Sequence, residues 1–264
     1  MKTWQEFENS CYEHLLKEYG DFCSFEQLGK SDSTNSDIKV TKRNKEKFFI
    51  ETKDNRAQCG QFVLLPDEEK SEFVYSTRNK SNLNKYSQKI IDYMNKHFEV
   101  FAQAGTSGKD ITISKDVLYG WIKNYYASKQ VEFFITKSDK FIIFSLDKFD
   151  KYFDVSAKYR IKRSGSSNPS KENWQEIKSI LSKTGSKFEL NSDNGKLYVR
   201  TEHKLSGLKI KGTGYTYLFN STGKGEYNIR KLSNTKNANV IFSISLNKRN
   251  QDPCDLKEFE NYIR

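Results

Sequence analysis

Residues 36–53 read SDIKVTKRNKEKFFIETK, a stretch that predicts two short strands joined by a lysine-rich, charged hairpin. On the second strand Glu51 and Lys53 are two positions apart, so their side chains point to one face of the sheet. Phe48 and Ile50 point to the opposite face, where they suit a hydrophobic core. The stretch therefore predicts a sheet with one apolar face and one charged face.

Asp37 stands at the start of the first strand, with 13 residues between it and Glu51, where its carboxylate could meet the charged face. Two carboxylates held close repel each other, and a divalent cation removes the repulsion. Mg²⁺ prefers such oxygen ligands and also binds substrate phosphate. A neighbouring lysine could stabilise the charge that develops on the phosphoryl group, or help to position and deprotonate a water. Asp37, Glu51 and Lys53 thus favour a metal-dependent phosphodiesterase site.

Chance is the competing explanation, because the chain is 30% charged and Glu-x-Lys recurs at residues 68–70 and 202–204. Only the triplet at Glu51 ends an apolar strand that follows a strand beginning with Asp. This context favours a metal-dependent nuclease as a hypothesis. It does not exclude that Glu51 and Lys53 are an ordinary pair of surface charges.

Composition limits the classes of protein. The chain has 264 residues, a net charge of +11, a pI of about 9.2 and 14% aromatic residues, which argue for a folded protein with an acidic partner such as nucleic acid. No apolar run is long enough to span a membrane, and the N-terminus lacks the features of a signal peptide. The four cysteines and three histidines are scattered and form no zinc pattern, so a reducing cytoplasm is expected.

Hydrophobic periodicity predicts the order of elements. An amphipathic helix carries Trp4, Phe7, Cys11 and Leu15 and ends near Gly20. Further helices are expected over residues 81–98, with Leu83, Tyr86, Ile90 and Met94 facing inward, from about 114, and over 170–183. Strand pairs are expected at 131–136 with 140–145 and around the turn SDNG (192–195), and additional strands follow towards residue 246. The segment SGSSNPS (164–170) reads as a linker after a catalytic-type α/β unit that ends near residue 150.

Several blocks, in order along nearly the whole chain, resemble the HhaI-type type II restriction endonucleases of the PD-(D/E)XK nuclease superfamily. These blocks are WQEFE, SDSTNSD, the ETK triplet, AQCGQFVL (57–64), FDKYFDVSAKYRIKRSGS (149–166) and LSNTKNANVIFSISL (232–246). The resemblance implies an α/β (α+β) fold with a PD-(D/E)XK core on a mixed five-stranded sheet and two further small mixed-sheet domains. The implied domains are a catalytic domain (1–150), a recognition domain (151–168 and 225–264) and an inserted auxiliary DNA-binding domain (169–224).

The resemblance also implies an activity and a set of site residues. The enzyme would be a monomer that hydrolyses double-stranded DNA at GCGC, cuts the strands in succession, and uses Mg²⁺ or, in its place, Mn²⁺. Asp37 and Glu51 would be metal ligands, the Thr52 carbonyl a further ligand, Lys53 the catalytic lysine and Glu8 an accessory acid, unless Glu8 is a solvated helix charge. Thr52 replaces the Ala of the family pattern, and the hairpin is longer; both changes are expected to be harmless, since residue 52 would contribute only its backbone. A cognate DNA methyltransferase, acting without a stable complex, would protect the host DNA.

Two basic clusters are candidates for contacts with DNA, because Arg and Lys reaching guanine are the commonest specific contacts. The first cluster contains Lys158, Arg160, Lys162, Arg163, Ser164 and Ser166, and the second contains Asn228, Arg230, Lys231, Ser233, Asn234 and Lys236. Gln58 and Gln61 are further candidates for a base edge or the minor groove, with a polar role at a helix start as the alternative. Between residues 204 and 231, six basic residues against one acid indicate a platform for phosphates.

Two other functions remain open at this point. One is a basic nucleic-acid-binding protein without catalysis, and the other is a structure-specific repair nuclease of the same fold. For each single lysine of the two clusters, the alternative to a DNA contact is an ordinary solvated surface charge.

Overall fold

The computed structural model describes residues 4–28, 36–163, 165–183, 185, 187–233 and 236–264, without the side chains of Arg163 and Lys236. The chain divides into a larger unit, Met1–Arg160 with Ala238–Arg264, and a smaller unit, Ile161–Asn237. This division does not test the expected three domains, which stay a prediction. Within the described residues, no helix is long and apolar enough to cross a membrane.

The elements alternate between helices and strands along the first half of the chain, and strands dominate the second half. The helices are α1 (Trp4–Tyr19), α2 (Lys85–Lys96), α3 (Phe98–Ala102), α4 (Lys115–Ala127), α5 (Phe149–Tyr152) after a 3₁₀ turn (Leu146–Lys148), α6 (Asn173–Ser182) and α7 (Pro253–Ile263). The first strands are β1 (Cys23–Gln27), β2 (Ile38–Lys42), β3 (Lys47–Thr52), β4 (Arg56–Asp67), β5 (Glu72–Tyr75), β6 (Lys109–Asp110), β7 (Val131–Lys137) and β8 (Phe141–Ser145). The remaining strands are β9 (Phe153–Arg163), β10 (Ser166–Ser167), β11 (Phe188–Asp193), β12 (Lys196–Thr201), β13 (Lys209–Lys211), β14 (Thr216–Gly223), β15 (Glu226–Leu232) and β16 (Lys236–Leu246).

The first sheet of the larger unit has the strand order β1-β2-β3-β7-β8. Its β3 and β7 run parallel, and its other neighbours are antiparallel. The sheet is therefore mixed and five-stranded, as expected. A parallel pair needs a long crossover, and here the crossover holds β4 to α4, so that residues far apart in sequence meet beside β3.

One face of this sheet packs against two helices. Phe48 and Ile50 of β3 lie in a core with Leu15 of α1 and with Phe259 and Ile263 of α7. The prediction of α1 is confirmed, whereas α7 was not predicted. Its signals are nevertheless present in the sequence, because Asp252 caps the helix by accepting from the N–H of Cys254, and Pro253 occupies the first turn.

The second sheet of the larger unit has the order β5-β4-β16-β9-β6. The long strand β4 was not predicted, since Gln58, Gly60 and Gln61 interrupt its apolar pattern. Helix α2 is confirmed but begins at Lys85, capped by the side chain of Asn84. Leu83 therefore precedes the helix and is 47% exposed, which makes its predicted inward position wrong.

The smaller unit contains a sheet of six strands in which every described pairing is antiparallel, unlike the mixed sheet that the resemblance implied. Helix α6 covers its core through Ile177 and Leu181. The predicted hairpin around SDNG is confirmed, and Asn194 and Gly195 both have positive φ, at 46° and 71°. Two successive residues with positive φ are typical of the type I′ turns that close such hairpins.

Gly120 of α4 provides a test of the packing of α2 on α4, because a Cβ at this position would lie 2.1 Å from the ring of Tyr86. Gly→Ala inside a helix ordinarily stabilises by about 0.8–1 kcal/mol. We expect Gly120→Ala instead to lower the thermal midpoint, since overpacking costs about 1–3 kcal/mol. The same change in a Tyr86→Ala background should be neutral or stabilising. A higher midpoint for the single variant would contradict the close contact.

Candidate active site

The candidate catalytic residues meet where β2 begins and β3 ends. The register pairs Ile38 with Ile50, and continuing that ladder places Asp37 opposite Glu51. On the other side of β3, the N–H of Lys53 donates to the carbonyl of Ile135 on β7 at 3.1 Å. The structure thus brings Asp37, Glu51 and Lys53 together at adjacent ends of two neighbouring strands, as the sequence predicted.

Asp37 is held by Thr52 through two hydrogen bonds to one carboxylate oxygen. The backbone N–H of Thr52 donates to Oδ2 of Asp37 at 2.8 Å, and the Thr52 hydroxyl donates to the same oxygen at 2.7 Å. The expectation that residue 52 contributes only its backbone is therefore wrong. Threonine differs here from alanine because its hydroxyl contacts a candidate metal ligand.

Glu51 and Lys53 form a buried ion pair, with 2.6 Å between Nζ and Oε1 and side-chain exposures of 8% and 14%. The other oxygen of Glu51, Oε2, is buried, and no described residue donates to it. Burial, the largest influence, raises the pKa of Glu51 above its ordinary value, against the opposing charge of Lys53. Burial lowers the pKa of Lys53, but the charges of Glu51 and Asp37 outweigh it and hold that pKa above its ordinary value.

The Lys53 side chain is bordered by an aromatic ring and a thiol that the sequence did not indicate. Its Nζ lies 5.8 Å from the ring centroid of Tyr126 on α4, and the thiol of Cys59 on β4 donates to the Tyr126 hydroxyl at 3.6 Å. Burial raises the pKa of Cys59 to about 12, so its thiol stays protonated near neutral pH. No short sequence motif links Cys59 or Tyr126 to Lys53. Both residues belong to the crossover between β3 and β7, and the path of that crossover places them beside the lysine.

Glu8 on α1 lies within electrostatic reach of the site. Burial raises the pKa of Glu8, the charge of Asp37 raises it further, Lys53 lowers it and Glu51 raises it, to a value of about 7. A fully solvated helix charge would not show this shift, because water screens such interactions. Its assignment as an accessory acid stays a prediction.

The oxygen donors of this site fit a hard cation. No group of three His, Cys, Asp or Glu side chains among the described residues could hold a metal ion alone. The available set is the carboxylates of Asp37 and Glu51 and the backbone carbonyl of Thr52. A buried carboxylate oxygen without a donor, as on Glu51, costs free energy unless a partner is supplied. Oxygen ligands of this kind suit Mg²⁺.

Gln58 and Gln61 lie on β4, so a role at a helix start is wrong. A spacing of three would place them on opposite faces of a regular strand. However, the register with β16 shifts between Gln58↔Ser243 and Gln61↔Ile241, which leaves two residues, Cys59 and Gly60, opposite one. This bulge exposes both glutamines, and Nε2 of Gln58 donates to Oε1 of Gln61 at 3.1 Å.

Gly60 makes the bulge possible. Its φ of +99° is one that L side chains rarely adopt, and a Cβ would lie 2.8 Å from the ring of Trp121. Trp121 is itself fixed, because it stacks on Phe242 at 4.0 Å and on Tyr125 at 5.0 Å. A rigid aromatic stack therefore sets the positions of the two glutamines.

The first basic cluster lies on β9. Lys158, Arg160 and Lys162 alternate with the buried Ala157 and Tyr159 and so occupy the solvent face of the strand. Lys158 pairs with Asp110 of β6 at 3.4 Å. Ser164 and the side chain of Arg163 lie outside the described residues.

The second basic cluster is partly engaged by its own unit. Arg230 donates to the hydroxyl of Ser166 at 3.2 Å, to the Ser166 carbonyl at 2.6 Å and to the Asn168 side chain. Asn228 donates to the carbonyl of Leu197, and Lys231 lies 4.3 Å from the ring centroid of Tyr215. Ser233 donates its backbone N–H to the carbonyl of Gly165. Asn234 and the side chain of Lys236 lie outside the described residues.

A solved structure identifies the family to which this chain belongs. No protein-family model matches the chain, and no curated protein is significantly similar to it. Among solved structures, HhaI endonuclease in complex with DNA matches with a TM-score of 0.74 and 41% sequence identity, over 99% of this chain and 99% of that chain. An identity of this size over almost the full length of both chains shows that the chain belongs to the HhaI-type family of restriction endonucleases.

Proposed function

We propose that this type II restriction endonuclease uses Mg²⁺ to hydrolyse both strands of double-stranded DNA at GCGC, acting as a monomer. The observation that carries the chemistry is the convergence of Asp37, Glu51 and Lys53 at the end of β3. This arrangement, within the mixed sheet β1-β2-β3-β7-β8, supports the assignment of a PD-(D/E)XK core. The likeness to HhaI endonuclease supports the target sequence.

The carboxylates of Asp37 and Glu51, with the carbonyl of Thr52, would hold the cation. Bound Mg²⁺ lowers the pKa of a water ligand and stabilises charge on the phosphoryl oxygens. Lys53 stays protonated beside Glu51, since the neighbouring carboxylates raise its pKa. Its ammonium group is therefore suited to stabilise negative charge in the transition state, rather than to remove a proton from water.

Sequential cutting follows from the number of sites. One chain carries one set of Asp37, Glu51 and Lys53, whereas a duplex presents two strands of opposite polarity. A monomer must therefore cut one strand before it places the other in the same site. The exposed Gln58 and Gln61 and the basic face of β9 supply the polar groups for sequence reading, and the cations of the smaller unit supply phosphate contacts.

Digestion of a supercoiled plasmid of known sequence tests the proposal. With Mg²⁺ we expect a nicked circle to accumulate before linear DNA, and all fragment ends to map to GCGC; with EDTA the plasmid should stay intact, because the carboxylates then lack their cation. Ends at another sequence would refute the target. Random ends would favour a structure-directed nuclease, and a plasmid that is bound but never cut would favour a binding protein.

Lys53→Ala should lower the rate of cleavage by at least about 10²–10³-fold, the usual loss on removing one group that stabilises transition-state charge. Binding of the same duplex without metal, measured by gel shift, should change little. Lys47→Ala is the matched control, because Lys47 begins the same strand and is exposed. Normal cleavage by folded Lys53→Ala, checked by its thermal midpoint, would remove Lys53 from the site.

Gly60→Ala should weaken the preference for the target sequence, because the bulge that exposes Gln58 and Gln61 together cannot form with a Cβ against Trp121. We expect discrimination between specific and nonspecific duplexes to fall by about 1–3 kcal/mol, the usual value of one base contact. Gly105→Ala is the control, since no described atom lies within 4 Å of the added Cβ. Unchanged discrimination in Gly60→Ala and Gln58→Ala alike would exclude a reading role for this face.

A further inference from the structure

The hydroxyl of Thr52 has no assigned task in the proposed mechanism, although it makes a short contact at the site. It donates to Oδ2 of Asp37 at 2.7 Å, and the N–H of the same residue donates to the same oxygen at 2.8 Å. Thr52 is 4% exposed, so water does not compete for these bonds. One buried residue thus holds one carboxylate oxygen twice.

The geometry of the sheet explains why Asp37 is the acceptor. Successive N–H groups of a strand point to opposite sides, and that of Lys53 points to β7, where it bonds to Ile135. The N–H of Thr52 therefore points to β2. Since β2 begins only at Ile38, the Asp37 carboxylate takes the place of the missing backbone acceptor.

The two bonds determine which oxygen of Asp37 would face a cation. A carboxylate oxygen has about two lone-pair positions, and both positions of Oδ2 accept from Thr52. Oδ1 is then the oxygen through which Asp37 would bind a metal, and the two bonds fix the rotation of the carboxylate. Groups that donate a hydrogen bond to a metal ligand, on the oxygen that does not bind the metal, orient that ligand and strengthen metal binding.

We propose that the Thr52 hydroxyl is a positioning residue that orients Asp37 for one-oxygen binding of the divalent cation. The inference rests on the proposed function, because it requires that Asp37 binds a metal. An alanine at this position would keep the backbone bond to Oδ2 and lose the second bond. A purely structural role, in which the threonine only fills space beside β2, is the alternative.

Thr52→Val removes the hydroxyl and keeps the volume, whereas Thr52→Ser keeps the hydroxyl. The probe is Mn²⁺, titrated into each variant with free Mn²⁺ measured by electron paramagnetic resonance, and the half-saturating Mg²⁺ concentration for plasmid cleavage is measured in parallel. We expect Thr52→Val to raise both values by about 10-fold or more, since loss of a group behind a metal ligand typically costs 10–100-fold. Thr52→Ser should stay within about twofold.

Thermal midpoints and metal-free DNA binding separate this role from a structural one, because both should be close to those of the unmodified chain. Thr41→Val on β2 is the control for a threonine away from the site. If Thr52→Val does not fold, Thr52→Ala serves, since it places no methyl group against the carboxylate.

Unchanged Mn²⁺ affinity in a folded Thr52→Val or Thr52→Ala variant would overturn the inference while leaving the proposed function intact. Equal losses in Thr52→Ser and Thr52→Val would also overturn it, because packing of the methyl group would then matter and not the hydroxyl. An unmodified chain that neither binds Mn²⁺ nor needs a divalent cation for cleavage would overturn the proposed function, and this inference with it.

Discussion

The buried ion pair between Glu51 and Lys53 is the constraint around which the larger unit is arranged. Removing two charges from water is costly, and a buried pair generally repays this only with good geometry and further hydrogen bonds. Here one oxygen of Glu51 lacks a donor among the described residues, so the pair is incompletely compensated. The apolar face of the same strand offsets this cost, because Phe48 and Ile50 pack against helices α1 and α7. Because one face of β3 is packed in the core, the strand can keep the incompletely compensated ion pair on its other face.

Local patterns in the sequence were sufficient to predict some features of the site and insufficient for others. Alternation placed Glu51 and Lys53 on one face and Phe48 on the other, since a strand has a fixed period of two. The bulge at Gly60 could not be predicted, because it depends on a positive φ and on the ring of Trp121, far along the chain. The bond from Thr52 to Asp37 also escaped prediction, since it follows from where β2 begins rather than from either residue. Helix α7 is different, as its capping signals were present in the sequence.

For the basic residues, composition predicts the total charge but not which side chains are available for a partner. The net charge of +11 indicates an acidic partner, and the related HhaI endonuclease is seen in complex with DNA. The count of cations does not identify which of them are available, because several are already engaged. Arg230 uses its guanidinium to tie Ser166 and Asn168 to the sheet of the smaller unit. Arg160, in contrast, lies on the solvent face of β9. Basic residues that look alike in the sequence therefore differ in the structure, since some are engaged in hydrogen bonds within the fold and others are accessible to a partner.

The candidate site gathers the carboxylates of Asp37 and Glu51 around one lysine in a chain whose net charge is +11, and this contrast is a physical argument for a cation. Burial alone raises the pKa of a carboxyl group, so the raised pKa values of Glu51 and Glu8 do not by themselves indicate a nearby negative charge. Burial lowers the pKa of a lysine, however, and the pKa of Lys53 is nevertheless raised. Only nearby negative charge can produce that result. Two carboxyl groups, those of Asp37 and Glu51, therefore lie beside the single positive charge of Lys53. A divalent cation would neutralise the charge of these carboxylates and give the unpartnered oxygen of Glu51 a ligand, which makes cation binding and the stability of this end of β3 parts of one equilibrium.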